Sequence, residues 1–86
     1  MPTDKEIIEE ELRMRKLKVL VDLTAQKLSV LPLSEEDGNR LIEETKILVL
    51  TLFPDKEEQF ELIYRPRFNR LLKENLALRR TDTALE

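Results

Sequence analysis

Carboxylates are the side chains in this sequence whose numbers and spacing are best suited to chemistry. Glu57, Glu58 and Glu61 form an E-E-x-x-E run, and Glu6, Glu9 and Glu10 repeat a comparable spacing near the N-terminus. Residues three and four apart share a helix face, so two such helices could hold a magnesium ion between them. Other chemistries are closed by composition. The chain has no cysteine and no histidine. That removes disulfides, thiolate nucleophiles, imidazole bases and every zinc site that needs either residue. Di-iron carboxylate sites in helical bundles need histidine as well. There is no glycine-rich phosphate loop, no Ser-His-Asp set and no internal repeat.

The acidic positions, and they alone, resemble the E-x-x-E type motifs through which the all-helical nucleotide pyrophosphohydrolases ligate magnesium. The resemblance implies a magnesium-dependent nucleotide hydrolase that uses Glu57, Glu58 and Glu61. Both runs also stand at expected helix starts, where negative charge complements the macrodipole without any metal. The residues by themselves therefore read as a protein that is not an enzyme, with no catalytic residue, no metal and no cofactor.

A second cluster is basic. Arg65, Arg67, Arg70, Lys73, Arg79 and Arg80 lie close together, opposed only by Glu74, with Tyr64 and Phe68 interleaved. Such a stretch could face nucleic acid. However, Arg65 and Arg70 fall on nearly opposite sides of a helix, and no recognition-helix pair with a tight glycine turn is present. The formal charge of −3 supplies no bulk attraction to nucleic acid or to an anionic membrane. Within this cluster Tyr64-Arg65-Pro66-Arg67-Phe68 stands out. A proline flanked by two arginines and two aromatics could dock an acidic partner or a carboxylate. It reads equally as a bend that wraps a helix round the core, with the arginines paired to Glu43, Glu44 or acids of the first helix.

The elements that must carry these residues are marked by their own punctuation. Thr3 and Glu6 make a capping box, and Pro32 ends the helix that follows. Ser34 is the next N-cap, with Glu35, Glu36 and Asp37 in the first turn, and Pro54 closes that helix. Asp55 is the expected third N-cap. Helices are thus predicted over 4–30, 35–52 and 56–78, with a frayed tail over 80–86. Each begins acidic, and the first and third become basic further along, in agreement with the macrodipole. Pro66 falls inside the third helix while the apolar spacing of Phe60, Ile63, Tyr64, Phe68, Leu71 and Leu72 continues through it. A kink at Pro66 is expected there, with a break into two helices as the alternative.

Eighty-six residues allow one domain with a thin stability margin. The fold expected for 1–86 is all-α, a single three-helix up-down-up bundle. It carries more apolar surface than such a bundle uses. On the second helix Leu41, Ile42, Thr45, Leu48, Val49 and Leu52 share one face, while Ile47 and Leu50 point the other way. On the first, Leu17, Leu20, Val21, Leu28 and Leu31 form one stripe, and Leu12, Val19, Leu23 and Val30 form another. A helix apolar round most of its circumference needs cover on most of it. At 1.5 Å per residue the first helix is about 40 Å long and the second about 27 Å, so Ile7 and Ile8 should overhang. The surplus predicts a homodimer through helices one and two, the alternative being that Lys and Arg stems cover the spare apolar surface.

The function expected is a small helical protein-interaction or regulatory adaptor whose partners are proteins, itself included. Its contact residues are Ile47, Leu50, Leu12, Val19, Leu23, Val30, Tyr64, Arg65, Arg67 and Phe68. The alternatives are a nucleic-acid-associated protein using 65–80 and the magnesium enzyme above. The missing cysteines and the acidic N-terminus, without the apolar core of a signal peptide, make the cytoplasm the expected location. The longest uncharged apolar stretch, 47–53, is too short to span a bilayer.

Overall fold

A computed structural model describes the backbone of residues 3–85 and the side chains of residues 3–78. The molecule is all-helical. Helix α1 is Asp4–Val30 and α2 is Glu35–Leu52. Helix α3 is continuous over 57–85, made of Glu57–Gln59, a π-helical turn at Phe60–Tyr64, and Arg65–Leu85. Thr3 and Glu6 form the capping box in both directions, the Glu6 amide donating to Thr3 Oγ1 at 3.2 Å and the Thr3 amide donating to Glu6 Oε2 at 3.3 Å. Ser34 Oγ caps α2 by accepting from the Asp37 amide at 3.0 Å.

Two details depart from the sequence expectations, and a third refines one. Asp55 is not the cap of α3: the helix begins at Glu57, and Lys56 in the cap position makes no side-chain cap bond. Phe53 sets the turn instead. Its amide donates to Val49 to end α2, its carbonyl accepts from the Lys56 amide at 3.1 Å, and its ring is buried. Lys56 Nζ and the Arg13 guanidinium lie over that ring, 5.4 and 5.8 Å from its centre. The helix also runs past the expected end near residue 78, as far as Leu85; of the tail expected to fray, Glu86 lies outside the described residues. Finally, the backbone passes Pro66 within a continuous helix, and the distortion falls in the turn just before it. The Arg65 amide donates five residues back, to the Phe60 carbonyl. Proline lacks an amide hydrogen and crowds the carbonyl four residues earlier, here that of Leu62. A π turn widens the helix at that carbonyl and so admits the ring without a break.

The extra residue in that turn also resets which side chains point inward. Phe60, Phe68 and Leu72 are buried, whereas Ile63, placed on the same face by a regular spacing, is exposed. The core gathers these with Leu17, Val21 and Leu28 of α1, Ile42 and Val49 of α2, and Phe53. On α2 the inner face is narrower than expected. Leu48 stands about 90° from its centre at 100° per residue and is exposed.

Buried polar groups tie the helices together. Thr45 Oγ1 donates to the Leu41 carbonyl at 2.8 Å, which uses its one hydrogen. Thr24 Oγ1, 2.9 Å away on α1, is therefore the donor in the Thr24–Thr45 bond. The Asn75 amide nitrogen donates to the carbonyls of Leu28 at 2.7 Å and Leu31 at 2.8 Å. The helical partner of the Leu28 carbonyl would be the amide of residue 32, and that residue is proline. Asn75 supplies the missing donor from another helix, as a buried carbonyl requires. The single glycine, Gly38, faces α3 directly: a Cβ there would collide with the Leu72 side chain.

The molecule is elongated, 62 × 19 × 16 Å, with a radius of gyration of 16.0 Å. A compact chain of this length would have about 12 Å. Every residue of α1 from Asp4 to Lys16 is exposed, and this half buries none of its side chains in the core. Among the described residues no helix is long and apolar enough to cross a membrane.

Candidate interaction surface

Helix α1 has two faces. Leu17, Val21, Thr24 and Leu28 are its buried residues. At 100° per residue they lie within about 60° of one another. Ile8, Leu12, Val19, Leu23 and Val30 fall within a second arc of about 60°, centred about 160° away. The second stripe is thus nearly opposite the core, and none of the described residues covers it. Leu12 is 49% exposed, Val19 56%, Leu23 48% and Val30 68%. Leu12, Val19 and Leu23 with the half-buried Leu20 line a shallow depression of about 360 Å³, bordered by Arg15 and Lys16. On α2, Ile47 is exposed while Leu50 is half-buried.

The Tyr64–Phe68 segment does not form one surface. Phe68 is fully buried, so it serves the core and cannot meet a partner. Tyr64 is half-buried, its ring stacked on Phe68 with centroids 6.4 Å apart and 6.0 Å from that of Phe60. Arg65 turns toward α2. Its guanidinium bonds to both oxygens of Glu61, reaches Glu43 Oε1 at 2.7 Å and lies 5.7 Å from the centre of the Phe60 ring. Arg67 alone of the two arginines points to the α1 side, where with Tyr64 it borders a groove of about 250 Å³ beside Met14, Leu17, Lys18, Val21 and Asp22. The proline between the arginines, with the π turn before it, sends them to different neighbours.

The E-E-x-x-E run is occupied by cations from its own chain. Lys46 Nζ lies against Glu61 and 3.4 Å from Glu57 Oε1. The hydrogen bonds from Arg65, and next those from Lys46, hold the Glu61 carboxyl down at about 2 from an ordinary 4.5. Bonding to Glu61 in turn raises the pKa of Lys46 and of Arg65. Glu58 is exposed beside this cluster. Among the described residues no group of three or more acidic side chains is arranged to hold a metal ion. Of the basic stretch, Arg65 is committed to Glu61 and Glu43, and Arg70 pairs with Glu74 at 3.2 Å. The side chains of Arg79 and Arg80 lie outside the described residues.

Sequence reasoning missed Asn75 and the Thr24–Thr45 pair. A signal was present: Thr24 sits between Val21 and Leu28 at helical spacing, and Asn75 follows Phe68 by seven residues on the same face. A polar residue in the phase of the core marks a position whose partner must come from elsewhere. No protein-family model, curated protein or solved structure matches the chain.

Proposed function

We propose that this chain is a small helical protein-interaction or regulatory adaptor, without catalysis of its own, that works in the cytoplasm as a homodimer. Its three helices form an up-down-up bundle, a reading supported by the pairing of Tyr64 and Arg67 with the middle of α1 and of Asn75 with its end. The dimer contact uses the outer face of α1, with Ile47 of α2 at its margin.

The observation that carries this reading is the second apolar stripe of α1, exposed along its length and facing away from the core. Exposed apolar stripes of this extent mark contact surfaces. Once α1 is covered, the groove bordered by Tyr64 and Arg67 remains for a second protein. That groove combines an aromatic face with the cation of Arg67, a chemistry suited to a carboxylate-bearing segment. The magnesium reading has less support, because Glu61 already bonds two cations of its own chain.

Light scattering across a concentration series tests the proposal. A mass of two chains is expected, falling to one in Val19→Asp with helicity unchanged. A single-chain mass at the highest concentrations would overturn the homodimer.

A further inference from the structure

The homodimer proposed above leaves open how two copies of α1 meet, and the charge order along that helix answers it. Between residues 4 and 11 stand Asp4, Glu6, Glu9, Glu10 and Glu11 with only Lys5 against them; between 13 and 18 stand Arg13, Arg15, Lys16 and Lys18 with no acid. All of these are exposed. The exposed helix therefore carries an acidic block followed directly by a basic block of similar length. Two such helices side by side in the same direction place like on like. Reversed, each acidic block lies on the other copy's basic block.

We infer that α1 pairs with α1 of a second copy in the antiparallel direction, about a two-fold axis lying between residues 13 and 14. The proposal rests on the homodimer reading and specifies its interface. Ile8, Leu12, Arg15 and Val19 recur at steps of four, three and four, the spacing of a coiled-coil seam. In this register Ile8 meets Val19 of the second copy, and Leu12 packs along the stem of its Arg15, whose charged head reaches water at the edge. The flanks are charge-matched on both sides. Glu9 faces Lys16 of the second copy on one side of the seam, and Glu11 faces its Lys18 on the other. The two-fold axis doubles both, giving four opposite pairs. The parallel register sets Arg15 against Arg15 inside the seam. The contact is isologous, as a closed two-fold dimer demands, and it uses the outer stripe from Ile8 to Val19, all of it exposed in its own chain apart from the inward Leu17, with Leu23 and Val30 beyond the seam.

Because the native chain has no cysteine, single cysteines report the register directly. Ile8→Cys and Val19→Cys chains would be prepared separately, mixed in equal amounts and mildly oxidised. The mixed sample should form disulfide-linked dimers of one chain of each kind, since the two positions come within bridging distance only in the antiparallel register. Each variant alone should cross-link little. In parallel, Glu9→Lys/Glu11→Lys should weaken dimerisation by at least about tenfold with helicity kept. Adding Lys16→Glu/Lys18→Glu to the same chain should restore it. Efficient cross-linking of Ile8→Cys alone, or no excess in the mixture while light scattering still reports a dimer, overturns the register and leaves the homodimer standing. A monomeric native chain overturns both.

Discussion

Toward the C-terminal end of α3, Asn75 is buried and donates both hydrogens of its amide to the carbonyls of Leu28 and Leu31 at the end of α1; near its start, Arg65 and Lys46 converge on Glu61 within reach of solvent. Both arrangements join helices through polar groups, yet they answer different needs. The Leu28 carbonyl has no helical partner because residue 32 is proline, and it lies where water does not replace one. Losing Asn75 leaves that acceptor unmet, so the whole desolvation penalty falls on the fold. The Glu61 cluster has water at its edge, and exposed ion pairs contribute little net stability. What distinguishes the two is access to water, not the number of bonds.

Asn75→Ala should break this contrast most sharply. It should cost about 1–3 kcal/mol, a fall in Tm of roughly 4–8 °C for each kcal/mol in a chain of this size, measured by thermal unfolding. A loss no larger than that of Glu61→Gln would remove the distinction drawn here. The threonine pair is intermediate. Thr45→Val leaves the Thr24 hydroxyl without its acceptor and should cost about 1 kcal/mol, whereas Thr24→Val/Thr45→Val together should be nearly neutral, because both partners leave at once. Chemical denaturation of the two single variants and the double variant gives the coupling, and strict additivity would show that the bond does not matter.

The smallest effect is expected at Glu61, and it depends on pH. Its folded pKa of about 2 lies below the ordinary 4.5. The stabilisation is therefore fully present above about pH 4.5 and is lost as pH falls toward 2. Glu61→Gln should flatten that part of the acid limb and lower stability near neutrality by the same small amount that the native chain loses on acidification. Parallel acid limbs for the native chain and the variant would show that the cluster does not contribute.

Much of the helical layout was legible without the fold, because caps and prolines act within a few residues of themselves. Thr3 with Glu6, Ser34 and the stop before Pro54 are local chemistry, and they appear in the structure as they read in the chain. The expectation at Asp55 fails for a tertiary reason: burial of the Phe53 ring governs the turn, and the start of α3 follows it. The outer stripe of α1 was also legible, since its exposure follows from angular spacing once the inner stripe is assigned to the core. The Tyr64–Phe68 segment was not. Adjacent residues gave no indication that Arg65 would turn to Glu61 and Glu43, Phe68 to the core and Arg67 to α1, because a π turn upstream of Pro66 rotates the whole segment.

Composition and periodicity alone determined that the chain is helical, where α1 and α2 begin and end, that it lacks thiol and imidazole chemistry, and that one helix carries more apolar surface than its own core can use. Tertiary structure alone decided that Asn75 completes a helix end spoiled by Pro32, that Gly38 leaves room for Leu72, and that Glu57 and Glu61 of the E-E-x-x-E run meet Lys46, and Glu61 also Arg65. Helix signals are short-ranged and act through a residue's immediate neighbours. The partner of a buried polar group lies tens of residues away in the chain, and only packing brings it within reach.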